Sequence, residues 1–186
     1  MLFRSGSALT RRLVAGGHEV TLLSRDPARA ALKFGGAVRA VRSADALDAD
    51  EHFDVLINLA GAPVVGLPWT AARKQVLLAS RLAPAEDLLR FAERAHVRPR
   101  VWVQASAIGY YGQNATNIDE SVGAAETDFA AHLCHRVEDR AQACRVLGLR
   151  YVALRFGLVM GRSGGSFPAM MMGLKLGVGT VMGSGR

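Results

Sequence analysis

The stretch Val101-Trp102-Val103-Gln104-Ala105-Ser106-Ala107-Ile108-Gly109-Tyr110-Tyr111-Gly112 sets the architecture of this chain. Its apolar opening, Val101 to Val103, is a strand, and the strand delivers a hydroxyl and two phenols at its carboxyl end. In open parallel α/β sheets, ligands bind in the crevice outside the carboxyl ends of the strands. A hydroxyl placed there can bond a substrate carbonyl or alcohol while a neighbouring group moves a proton. Ser106 is therefore the catalytic candidate, with Tyr110 and Tyr111 as the nearby acids. A hydrolase elbow would need Gly-x-Ser-x-Gly, and Gln104-Ala105-Ser106-Ala107-Ile108 has neither glycine.

Outward from that stretch, strand and helix patterns alternate. Residues 7–16 place Leu9, Leu13 and Val14 on one face of a helix that Gly16-Gly17 stops. His18 to Leu23 reads as a buried strand, and Pro27 opens a helix reaching Phe34. Val38 to Val41 is a short strand. Asp54 to Ala60 is nearly all apolar, as a sheet covered on both faces requires. A helix is expected from Thr70 to Ala95 with a bend or break near Pro84, then the Val101 strand, a polar loop over 113–125, a helix from Thr127 to Leu147, and the strand Tyr151 to Phe156.

This alternation specifies an α/β fold with a doubly wound parallel sheet. Residues 1–160 would form the sheet domain and 161–186 the start of a substrate-binding region. Such a fold should begin with a strand that ends in a Gly-rich turn, whereas Met1 to Gly6 is too short and too polar to supply both. In the strand order 3-2-1-4-5-6 the missing strand is an interior one. Its loss removes ladder hydrogen bonds at about 1 kcal/mol each and buried aliphatic side chains at roughly 1.5–3 kcal/mol each. The sequence is therefore expected to be a fragment of a longer protein.

Composition narrows the function. Half of the 186 residues are hydrophobic, so a core is available, and the net charge is +7. Lys33, Lys74 and Lys175 are the only lysines. The arginines are dispersed, and no basic run is interleaved with aromatics, which argues against nucleic-acid binding. No run of eighteen apolar residues suggests a membrane span, and no signal peptide is evident. Cys134 and Cys144 lie about 15 Å apart along one helical stretch, too far to bridge. A reducing cytoplasm is the expected location.

An anionic cofactor accounts for several further features. Gly6 precedes the first helix, where a nucleotide-binding turn places its last glycine. Ser24-Arg25 follows the second expected strand, where an NAD-binding sheet carries an acid for the ribose; an arginine there suits a 2′-phosphate, which favours NADP over NAD. Leu59-Ala60-Gly61 ends an apolar strand with small residues that let a cofactor lie against the backbone. His132 and His135 can share a helix face, but Cys134 points elsewhere and no second ligand pair occurs, so no metal site is expected.

With these residues laid out, the chain resembles the extended short-chain dehydrogenase/reductases, and within them an atypical NAD(P)-dependent epimerase/dehydratase-like group. The likeness is carried by residues 17–25, 55–61, 69–75, 105–112, 154–161 and 183–186. It implies a Rossmann-like fold, a missing opening strand, and a continuation past Arg186. Ordinary members pair the serine with a Tyr-x-x-x-Lys helix; aligned on Glu138, those positions are Ala130 and Cys134. Arg81 stands where typical members have an asparagine and by likeness reaches the cofactor, while Val76 occupies a place where close relatives often have glutamate. The resemblance implies redox or epimerisation at a hydroxyl-bearing carbon of a nucleotide-sugar-like small molecule. The alternative is a dinucleotide sensor that kept the fold and lost the Tyr/Lys pair.

Overall fold

The protein is described here by a computed structural model. It describes residues 4–64, 68–112, 118–125 and 128–159, together with 171, 175 and 177. The chain divides into two compact units, Met1–Arg155 and Phe156–Arg186. The first carries the elements α1 (Arg4–Ala15), β1 (Thr21–Leu23), α2 (Pro27–Lys33), β2 (Arg39–Val41), β3 (Val55–Asn58), α3 (Ala71–Arg94), β4 (Val101–Ala107) and α4 (Phe129–Gln142); β5 (Arg150–Phe156) runs to its end.

The strands form two parallel pairings. Leu23 of β1 lies opposite Val41 of β2, and Asn58 of β3 lies opposite Gln104 of β4. β5 joins the other side of β4, giving a three-stranded sheet β3-β4-β5 beside the two-stranded sheet β1-β2. No ladder joins β1 to β3. Thr21, Leu23, Val55, Leu56 and Ile57 instead face a shared apolar groove floored by Leu47, Phe53 and Leu88. Among the described residues the groove between β1 and β3 lies where a doubly wound sheet of order 3-2-1-4-5-6 carries its first strand.

Local chemistry fixes the helix starts. The Asp26 side chain accepts from the Arg29 amide at 3.1 Å and Pro27 takes the first helical position of α2. Thr70 and Asp128 cap α3 and α4 in the same way, satisfying amides that have no partner inside the helix. Gly17, with φ of 79°, ends α1 in a conformation that side chains with a Cβ adopt at a cost.

Three local expectations are corrected. α1 begins at Arg4, so Gly6 lies inside its first turn rather than before it. α3 runs unbroken through Pro84. A proline inside a helix costs about 3 kcal/mol, but Leu77 on one side and Ala85, Leu88, Leu89, Phe91 and Ala92 on the other are all buried, and their packing keeps the helix from ending there. β4 continues through Ala107, so Ser106 is a strand residue followed by a single 3₁₀ turn, Ile108–Tyr111. Part of the polar loop expected over 113–125, namely 113–117, lies outside the described residues, as does Thr127.

The core gathers on Trp102, Phe91 and Leu89, with Phe53 set edge-on to Phe91 at 5.4 Å. No helix among the described residues is long and apolar enough to cross a membrane. Among the same residues, no three His, Cys, Asp or Glu side chains come together as metal ligands would.

Candidate functional site

The carboxyl end of β3 is locked to the middle of β4 by a buried amide pair. Asn58 Nδ2 donates to Gln104 Oε1 at 3.0 Å, and the Trp102 indole donates to the same oxygen at 3.4 Å. Asn58 Oδ1 in turn accepts from the Ala60 amide at 3.1 Å, which shapes the turn carrying Leu59, Ala60 and Gly61. Asn58 and Gln104 are 2% and 0% exposed, so their amides depend on one another for hydrogen bonds that water cannot supply. The only sign of this lock in the sequence is two amide residues at matching ends of apolar strands.

Arg81 of α3 reaches under that turn. It donates to the carbonyls of Leu77 at 3.0 Å and Ala62 at 3.2 Å. A Cβ on Gly61 would stand 2.8 Å from the guanidinium carbon, so any other residue would make the Arg81 guanidinium shift. Among the described residues no carboxylate pairs with Arg81. Burial, foremost, pulls its pKa below the usual arginine range, and the Arg73 charge adds to this.

The Ser106 hydroxyl oxygen is buried and, among the described residues, meets no oxygen or nitrogen partner. Its polar neighbour is the Cys134 thiol. Cys134 and Ala130 occupy the face of α4 on which the Ile108–Tyr111 turn sits, and a Cβ on Gly109 would lie 3.5 Å from Ala130 Cβ and 3.8 Å from Cys134 Sγ. Small residues at 130 and 134 are what admit this turn.

Tyr110 and Tyr111 are drawn into a different cluster. Glu138, 1% exposed, takes both oxygens to Arg155, with Nε at 2.9 Å and the second nitrogen at 2.8 Å. Arg155 also donates to the Tyr111 hydroxyl at 2.7 Å, and its guanidinium carbon stands 3.5 Å from the Tyr110 ring centre. The bidentate carboxylate raises the Arg155 pKa. Because Arg155 donates, Tyr111 keeps its own proton free to give. The cluster joins residues 111, 138 and 155, too far apart in sequence for any local pattern to announce.

The nucleotide end is simpler. Ser24 continues the β1 ladder through its amide to the Val41 carbonyl at 2.8 Å, and its hydroxyl bonds Asp26 O at 3.0 Å. Arg25 is exposed and makes no hydrogen bond or ion pair among the described residues. The nearest acid in sequence, Asp26, is engaged in the α2 cap. Gly6 has nothing within 4 Å of where a Cβ would stand, so the start of α1 is open there. The groups present therefore fit an anionic dinucleotide: Arg25 beside the β1 end, a glycine turn at the β3 end, and Arg81 beneath it, neither arginine paired with a carboxylate among the described residues.

Burial pushes the Cys134 and Cys144 thiols above their ordinary value of 9.0. Thiols raised in the folded state contribute stability that is fully present below the unfolded pKa and is lost as pH rises through the folded one. Urea melts at pH 7.5 and 9.5 should show an alkaline loss that is smaller in a Cys134→Ala, Cys144→Ala variant. Equal losses would contradict this.

These features define a Rossmann-like α/β protein with a polar site across the carboxyl ends of its strands. The chain belongs to the NAD dependent epimerase/dehydratase family, whose sequence profile matches residues 5–185. It is 33% identical over 183 residues to epimerase family protein YfhF of Bacillus subtilis, covering 97% of this chain and 60% of that protein. It is 34% identical over 185 residues to epimerase family protein SDR39U1 of Bos taurus, covering 97% and 59%. Among solved structures, human SDR39U1 (isoform 2) with NADPH superposes with a TM-score of 0.77 at 32% identity, covering 97% of this chain and 59% of that one. A nucleoside-diphosphate sugar epimerase from Corynebacterium glutamicum gives 0.74 at 26%, covering 97% and 37%. The chain thus spans about 60% of the length of the curated relatives it matches.

Proposed function

We propose that the full-length protein binds NADP(H) across the carboxyl ends of β1, β3 and β4 and performs redox chemistry or epimerisation at a hydroxyl-bearing carbon of a nucleotide-sugar-like substrate. The observation that carries this reading is the buried hydroxyl of Ser106 near the end of β4, whose polar neighbour among the described residues is the weakly bonding Cys134 thiol. A buried hydroxyl with only a thiol beside it is poorly satisfied, and a substrate oxygen gives it a stronger hydrogen bond on binding.

Arg25 and Ser24 hold the 2′-phosphate, a role supported by the engagement of Asp26 elsewhere. Leu59, Ala60 and Gly61 present backbone to the cofactor, Gly6 opens the start of α1 to the pyrophosphate, and Arg81 supplies positive charge beneath. When bound, the nicotinamide supplies a hydride acceptor or donor. Ser106 orients the reacting oxygen, and Tyr111, braced by Arg155, is the proton donor with Tyr110 beside it. NADPH in the human SDR39U1 structure supports the cofactor assignment.

Ala130 and Cys134 favour a second reading, a dinucleotide sensor without turnover. A panel of nucleotide-sugar and carbonyl substrates assayed with full-length protein separates the two, since hydride transfer to any of them ends the sensor reading. Ser106→Ala is expected to lower turnover by about 10²-fold with NADPH affinity unchanged. Unchanged turnover would remove Ser106 from the chemistry.

A further inference from the structure

The β1-β2 register places a second arginine, Arg42, opposite Ser24, the residue before Arg25. Leu23 lies opposite Val41, and the Ser24 amide extends the ladder to the Val41 carbonyl, so Arg42 follows β2 just where Ser24-Arg25 follows β1. Parallel neighbours stand about 4.8 Å apart. Arg42, like Arg25, is exposed and makes no hydrogen bond or ion pair among the described residues.

The acids nearby are committed to other groups. Asp87 accepts from the Ser43 hydroxyl at 3.0 Å, from the Ala44 amide at 2.9 Å and from Arg90 at 3.0 Å. Asp45 shares the single Ser43 hydroxyl proton with Asp87, at 3.1 Å, and faces Arg90 at 3.7 Å. Glu51 is paired with Arg39. Arg25 and Arg42 thus follow the ends of adjacent strands, and among the described residues neither is paired with a carboxylate. A phosphate monoester matches their planar donor forks.

We infer that Arg42 is a second determinant of specificity for the adenosine 2′-phosphate, closing on it from the β2 side while Arg25 and Ser24 close from the β1 side. This rests on the NADP reading above. It adds a residue that nothing in the local sequence marks, because Arg42 joins Arg25 only through strand register.

The test uses full-length protein and four ligands: NADP, NAD, 2′,5′-ADP and 5′-ADP, titrated by calorimetry. Arg42→Ala is expected to weaken NADP and 2′,5′-ADP about tenfold and to leave NAD and 5′-ADP unchanged. Arg42→Lys should recover part of the loss, since it keeps charge without the fork. The side chain is exposed, so thermal melting should match wild type. An equal loss for all four ligands, or no loss, overturns the inference. If Arg25→Ala alone abolishes the preference for the 2′-phosphate, the Arg42 role fails while the NADP reading stands. If wild type binds NAD as tightly as NADP, both fail.

Discussion

Glu138→Ala is expected to destabilise the protein by roughly 3–5 kcal/mol, because it leaves a largely buried guanidinium without its counter-charge. The carboxylate is 1% exposed and gives both oxygens to Arg155. Once it is gone, Arg155 keeps only the Tyr111 hydroxyl and the face of Tyr110. The loss should read out as a lower midpoint in urea, and near-ultraviolet circular dichroism should report the loosened tyrosines. Replacing the pair together, Glu138→Leu with Arg155→Met, should recover much of the stability, since a buried ion pair is often no stronger than well-packed apolar side chains. A loss below 1 kcal/mol in Glu138→Ala would show that the pair does not hold the 108–111 turn.

Restoring the residues of ordinary family members, Ala130→Tyr with Cys134→Lys, is expected to cost several kcal/mol and to yield no gain in turnover. The space is taken: the Gly109 backbone packs on Ala130 and Cys134. Inserting bulk into a filled site costs about 1–3 kcal/mol. Burying the lysine ammonium at a position now 8% exposed, near the unpaired Arg81, adds several more. Cys134→Met separates the two terms, because it adds volume without charge and should cost less than Cys134→Lys. A stable double variant with raised hydride transfer would refute this account and show that the turn yields readily.

Both outcomes concern parts of the site that were unequally visible in the sequence. Ser106 was legible because an apolar run leading into a polar residue marks a strand end, although the strand itself extends to Ala107. Arg25 was legible for the same reason at β1. The replacement of the Tyr/Lys pair by Ala130 and Cys134 could be read from the family likeness. What fills their place could not, because it depends on a turn twenty residues upstream folding back onto α4.

The sequence by itself determined the order and type of the elements, the apolar strands of a sheet covered on both faces, and the positions of the Ser106 and Arg25 candidates. These follow from patterns within a few residues, where helix and strand periods differ and caps and prolines act locally. Only the tertiary structure decided that α3 passes through Pro84, that Asn58 and Gln104 lock β3 to β4, that Glu138 and Arg155 grip Tyr110 and Tyr111, and that Arg42 stands opposite Ser24. Each of these joins residues whose meeting depends on packing and register, and burial then supplies the energy that local propensity lacks.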